Sequence, residues 1–301
     1  MGRVTSGLST YVLNLSDIIE LELISCSVGS QTSNLILTLY VNSNQINQSL
    51  DTSQSNSNVK VVLKDDGSAA KLTNTNLIAA AEASSGQTFA KNADGTVTLN
   101  EANIAIVEAV TILNVADLND PTICDEIEHF VNLKELYCGS NQLTSLDVSN
   151  NTALTHLDCG SNRLTSLDVS LNTALKELYC DSNQLTSLDV SNNTALTSLW
   201  CKSNRLTSLD MSHNTALKEF ICEYNQLTSL DVSNNTALTY LECFGNQLTT
   251  LDISKNLELN LDRVLAGNQS VGELTLYVNG TQISQTLNRS YNDNVTVVLK
   301  E

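Results

Sequence analysis

The chain has 301 residues and carries 15 Lys and Arg against 33 Asp and Glu, a net charge of −18. Such a surface repels phosphate backbones and anionic headgroups, so neither nucleic acid nor a membrane surface is an expected partner. Apolar residues make up 41% and aromatics only 4%, so the core must be aliphatic; no apolar run is long enough for a membrane span, and MGRVTSGLST shows no signal peptide.

Residues 1–68 read as a β-rich N-terminal module. The stretch YVLNLSDIIELELISCSV predicts strands, and Leu37–Val41 and Val59–Leu63 predict two more around a polar middle. Residues 69–132 read as a cap with a short helix over 75–84. AKNADGTVTLNEA then places Gly95 at a sharp turn, Asn92, Asp94 and Glu101 at oxygen-ligand positions, and Val97 at an apolar one. This stretch resembles a dockerin- or EF-hand-type loop in degenerate form, because Ala90 supplies no side-chain oxygen at the first position. A turn held by hydrogen bonds is the expectation; Ca2+ held by Asn92, Asp94 and Glu101 is the alternative. VTILNVADL and IEHFVNL, within residues 103–132, resemble a worn first repeat that closes an apolar end.

From Leu133 the chain repeats itself. LKELYCGSNQLTSLDVSNNTA returns at Leu154, Leu175, Leu196, Leu217 and Leu238, always 21 residues later. Six such units fill residues 133–259, and each supplies the same parts. Leu136 and Cys138, two apart, face inward from a short strand, while Leu143, Leu146 and Val148 fill the opposite wall. Asn141, Asn162, Asn183, Asn204, Asn225 and Asn246 form a ladder where the chain leaves the strand, and their amides are suited to bond the backbone of two coils. One coil cannot bury its apolar side alone, so neighbouring coils must stack.

These motifs resemble the leucine-rich-repeat family, in the 21-residue bacterial subtype with a cysteine ladder seen in internalin-type and Bacteroidetes surface repeat proteins. The resemblance implies an α/β-type leucine-rich-repeat solenoid, mostly β with a parallel sheet and little helix, here with β-rich flanking modules. It also implies recognition rather than catalysis.

The cysteines fit that reading. Cys138, Cys159, Cys180, Cys201, Cys222 and Cys243 share one repeat position, and even spacing of 21 matches no zinc or CxxC pattern. In-register neighbours on a parallel ladder point the same way, which is poor geometry for a disulfide. They read as buried free thiols. Cys26 and Cys124 lie outside the array, and nothing in the sequence supports a pair between them. The ladder of Asp147, Asp168, Asp189, Asp210, Asp231 and Asp252 places like charges about 5 Å apart, so solvation, local hydrogen bonds or cations must offset their repulsion. Hydrogen bonds from adjacent Ser and Thr are the expected answer.

Strand residues that alternate with the inward Leu and Cys vary from coil to coil. The ligand-binding candidates on this expected concave face are Tyr137, Tyr179, Trp200, Ile221, Tyr240 and Phe244, flanked by Asp158, Glu177, Glu219 and Glu242. Exposed aromatics beside carboxylates suit sugar rings or a cationic protein surface. Residues 260–301 form a C-terminal module in which 274–300 resembles 37–64, with strands at Leu274–Val278 and Val295–Leu299. The two copies read either as caps or as an assembly device for a homo-oligomer or virion neighbours.

No catalytic set emerges. The histidines are His129, His156 and His213, no serine stands out from the repeat, and no GxGxxG, P-loop or HExxH occurs. The expected function is therefore non-enzymatic recognition or adhesion, without a cofactor. The site would lie outside the cell, either secreted or on a cell or particle surface, and the partner would be a protein or glycan on a cell or mucus surface. The alternative is a structural bacteriophage virion protein, a capsid decoration or fibre, assembled through the duplicated modules.

Overall fold

A computed structural model of the chain describes residues 11–14, 37–42, 59–64, 70–267, 272–288 and 292–300. Cys26, the strands expected within 15–28 and the polar middle at 43–58 lie outside the described residues. The chain divides into two units, one of residues 1–71 with 98–100 and the other of 72–97 with 101–301. In the first, strands Tyr11–Asn14, Leu37–Asn42 and Val59–Lys64 form a parallel sheet in chain order.

The second unit opens with the helix Thr75–Ser85. Asn74 caps it by accepting from the N–H groups of Asn76 and Leu77 at 3.0 Å each, and Gly86 ends it in the left-handed region. A second helix, Glu101–Ala109, which the sequence did not lead one to expect, ends just before VTILNVADL. Its run of Ile and Val carries little helical signal, but Asn103, Ile106 and Val107 are buried on one face.

The winding starts at Ile112–Asn114, inside VTILNVADL. From there eight parallel strands follow: Ile112–Asn114, Glu135–Tyr137, His156–Asp158, Glu177–Tyr179, Ser198–Trp200, Glu219–Ile221, Tyr240–Glu242 and Val264–Leu265. At about 4.8 Å between strands, the sheet is roughly 34 Å across. The middle residue of each repeat strand, Leu136, Leu157, Leu178, Leu199, Phe220 and Leu241, is fully buried, and so are the six cysteines that follow. Leu143 and Val148 and their counterparts close the other wall.

The strands are short because the chain turns at once. Ser140, Ser161, Ser182 and Ser203 adopt φ of 59, 54, 54 and 53°, in the left-handed region that side chains rarely enter. The asparagine that follows each serine stabilises the turn. Asn162 Nδ2 donates to the carbonyls of Cys138, Cys159 and Gly160 at 3.1, 3.0 and 3.2 Å, while its Oδ1 accepts from the N–H groups of Asn141 and Leu143. Each amide thus joins two coils.

A second asparagine ladder runs through the other corner. Asn151, Asn172, Asn193, Asn214, Asn235 and Asn256 are fully buried. Each donates through Nδ2 to two carbonyls of the preceding coil; Asn193, for example, reaches Val169 and Asn172 at 2.9 Å each. Their Oδ1 atoms accept no hydrogen bond. Gln282 extends the ladder by one coil, donating to the carbonyls of Asn256 and Leu259 at 3.0 Å each.

The C-terminal copy of the duplicated segment prolongs the winding, but on the opposite wall. Leu274–Val278 pairs in parallel with Thr250–Asp252 on one side and with Val295–Leu299 on the other. Leu274, Leu276 and Val278 are buried. The pairing within this copy, Leu274 opposite Val295, matches that of Leu37 opposite Val59 in the N-terminal copy.

Candidate functional site

Strand register lays the variable side chains in two rows across the outer face of the eight-stranded sheet. One row runs Glu135, His156, Glu177, Ser198, Glu219, Tyr240; the other runs Tyr137, Asp158, Tyr179, Trp200, Ile221, Glu242. Four rings join across the rows. Tyr137 lies 4.6 Å from His156, His156 lies 5.1 Å edge-on from Tyr179, and Tyr179 lies 4.5 Å from Trp200, centroid to centroid. The sequence candidates on this face did not include His156. The missed signal was its register, because a residue two positions earlier on the next strand sits diagonally between two tyrosines.

Carboxylates orient these rings. Glu177 Oε2 accepts from the Tyr179 hydroxyl and meets His156 Nδ1, both at 2.9 Å. Glu135 accepts from the Tyr137 hydroxyl at 2.9 Å, and Glu242 accepts from the Tyr240 hydroxyl. Burial, reinforced by these carboxylates, pushes the Tyr179 and Tyr240 hydroxyls up to about 12. His156 therefore partners Glu177, and no nucleophile bonds to it among the described residues. Two polar atoms of the column, Trp200 Nε1 and His156 Nε2, are buried without a partner.

The expected contact residues divide on inspection. Tyr137, Asp158, Glu177, Tyr179, Trp200, Glu219, Tyr240 and Glu242 are half-buried on the outer face rather than freely exposed. Ile221 and Phe244 depart from the expectation, at 6% and 5% exposed. Phe244 is covered edge-on by the Tyr224 ring, at 5.0 Å. Tyr224 replaces the repeat serine at the left-handed turn, and a Cβ on Gly245 would approach its ring to 2.7 Å. Beside them Glu223 meets Glu242 and Lys202, the latter at 3.7 Å. Burial and the Glu242 charge lift Glu223 to about 7 against the pull of Lys202.

The cysteine ladder is buried and carries no disulfide. Burial pushes the Cys201 and Cys243 thiols up to about 12 and raises Cys180 and Cys222 well above the ordinary thiol value. These thiols stay protonated and act as apolar filler. In the 92–101 loop, Asp94 accepts from the Thr96 N–H and hydroxyl at 3.0 and 2.7 Å, and Asn92 donates to the same hydroxyl at 2.8 Å. Glu101 is the first residue of its helix.

Each aspartate of the Asp ladder accepts the backbone N–H of the serine two residues on, at 2.8–3.0 Å. The serine hydroxyl is the larger influence at Asp147 and Asp168, and the backbone N–H at Asp189, Asp210 and Asp231; all five are held below the usual carboxylate range. At Asp252 burial opposes the shift, but the Lys300 and Ser254 bonds outweigh it. A depressed folded pKa adds stability above the unfolded value and loses it as pH falls through the folded one. The melting temperature should therefore hold down to about pH 4 and fall below it. The check is calorimetry in stepped acid buffers; a melting temperature that rises on acidification would mean that repulsion along the ladder dominates.

One buried apolar residue per strand, a cysteine ladder beside it and asparagines bonding coil to coil define the class. The chain is a leucine-rich-repeat solenoid, and proteins of this class are typically scaffolds for protein–protein interaction. Residues 131–172 match the family of leucine-rich repeats, as two copies. The functional domain of InlJ from Listeria monocytogenes, which includes a cysteine ladder, aligns at 26% identity over 77% of this chain with a TM-score of 0.40. This chain spans 62% of that domain's length. Internalin C2 from the same species aligns at 24% identity and a TM-score of 0.54, over 75% of this chain and 92% of that one. A leucine-rich-repeat protein of Leptospira interrogans aligns at 23% identity and a TM-score of 0.52, over 66% of this chain and 57% of that one. No curated protein matches the sequence. Among the described residues, no helix is long and apolar enough to cross a membrane.

Proposed function

We propose that this protein is a non-enzymatic recognition module, displayed on a cell or particle exterior, that binds a basic protein surface on the outer face of its eight-stranded sheet. One observation carries the reading. In a frame that otherwise repeats almost unchanged, the variable positions meet as a continuous column of Tyr137, His156, Tyr179 and Trp200 bordered by Glu135, Glu177 and Glu219. Arginine and lysine side chains stack on aromatic faces and pair with carboxylates. Aromatic anchors near the middle of a surface supply most of the energy of protein recognition.

The direct test presents wild type and Trp200→Ala to arrays of arginine-rich peptides and of glycans. The variant should lose at least about tenfold in affinity for the peptides, since central anchors carry about 2 kcal/mol or more. Equal peptide binding by the two proteins would discard the site. Binding confined to glycans would transfer the same face to a sugar ligand.

A second reading has one observation in its favour. The duplicated segments at 37–64 and 274–300 form parallel strand pairs of the same register, which suits a structural protein assembled into a particle, such as a virion decoration or fibre. Light scattering separates the two: a multimer that persists in Trp200→Ala favours assembly, and a monomer removes it.

A further inference from the structure

The wall opposite the eight-stranded sheet opens into a groove at its cap end. Asp125 and Glu128 of the cap, Leu146 and Asp147 of the first repeat, and Asp168 and Leu171 of the second line a space of about 830 Å³. Its apolar part departs from the other coils. Leu146 is half-buried, whereas its counterparts in the next two coils, Leu167 and Leu188, are 8% exposed. Leu171 is 58% exposed. The same repeat position holds Asn150, Asn192, His213, Asn234 and Lys255 in the other five units. A polar side chain serves the fold there in five coils, and Leu171 instead keeps more than half of its surface in water.

The rest of the groove is acidic. Asp125, Glu128, Asp147 and Asp168 supply four carboxylates, and among the described residues no lysine or arginine lines it. The backbone N–H groups of Ser149 and Ser170 hydrogen-bond Asp147 and Asp168 at 2.9 Å each, which fixes those carboxylates in place. An apolar patch framed only by negative charge selects against acidic partners, including a second copy of this chain, whose net charge is −18.

We propose that this groove docks a basic segment of a partner protein, with one aliphatic side chain seated on Leu146 and Leu171 and flanking lysines or arginines paired with the four carboxylates. The charges steer the segment in and set its register. The two leucines supply apolar contact area at the centre. The groove shares no residue with the aromatic column, so it stands whether or not that column binds anything.

The test is photo-cross-linking of the full chain with a lysine-rich peptide that carries one diazirine-labelled leucine. The expected label falls on residues 145–150 or 166–171. Leu171→Asn installs the residue of three other coils, so it should keep the melting temperature while weakening binding on this wall about tenfold. Glu128→Gln should weaken it about two- to fivefold and reduce its salt dependence. Trp200→Ala should leave label on this wall unchanged, which separates the groove from the aromatic column. Equal labelling of the wall in wild type and Leu171→Asn would overturn the proposal, as would label confined to the sheet that bears Trp200. A dimer in light scattering that Leu171→Asn splits would give the groove to a second copy, and the proposal would fall with it.

Discussion

Asn183→Ala is expected to lower the unfolding free energy by about 3 to 4 kcal/mol. Asn183 donates to the carbonyls of Cys159, Cys180 and Asp181 at 3.0, 3.2 and 3.2 Å, and accepts from the Leu164 N–H at 2.9 Å. Each such bond contributes about 1 kcal/mol net, and a buried donor left alone costs about 1 to 3 kcal/mol. The three carbonyls keep other donors, namely Asn162, Asn204 and the Ser161 N–H. The Leu164 N–H keeps none, so the loss concentrates there. Asn192→Ala is the control: Asn192 is exposed and makes one bond of 3.3 Å to the Ser170 carbonyl. It should cost less than about 0.5 kcal/mol. Urea titration of the two variants measures the difference; equal midpoints would mean that the buried ladder contributes nothing the exposed turn does not.

Phe220→Ala should cost about as much or more, roughly 3 to 5 kcal/mol, through a different cause. Phe220 is the largest side chain at a position that leucine fills in the other five repeats, and it is fully buried. Its removal leaves a cavity between two coils that are stacked on both sides and have little freedom to collapse. Phe220→Leu restores the residue of the other coils and should recover most of the loss. Guanidinium titration with a common slope for all three proteins is the measurement. A leucine variant no better than alanine would show that this coil has adapted to the ring.

Much of this architecture is legible in the sequence, since burial repeats with the motif. Leu136 and Cys138 point inward because alternate strand residues share a face, and a period of 21 carries that orientation from coil to coil. The first asparagine ladder is legible for the same reason: a turn that leaves a strand needs a partner for its backbone. The second ladder is not, although Asn151 and its successors recur as faithfully. SNNTA has the composition of a loop, and the carbonyls that Asn193 binds belong to the preceding coil, at Val169 and Asn172. Leu274–Val278 reads plainly as a strand, but its side-chain alternation carries no mark of the wall on which it stacks. On the candidate face, strand alternation gives the row to which a residue belongs and not its neighbours across rows. Phe244 was expected to be exposed, yet it lies beneath Tyr224, a departure from the repeat in its own coil.

The repeat opened by Leu238 places a strand on each wall, where the repeats before it place a strand on one. Tyr240–Glu242 belongs to the eight-stranded sheet, and Thr250–Asp252 to the sheet on the opposite wall. A winding braced on both sides behaves like the selvedge of a cloth: to peel it, two seams must part together. At the far border, Ile112–Asn114 has a strand neighbour on one side only, so fraying by heat or by mechanical pull should begin there and travel toward the braced margin.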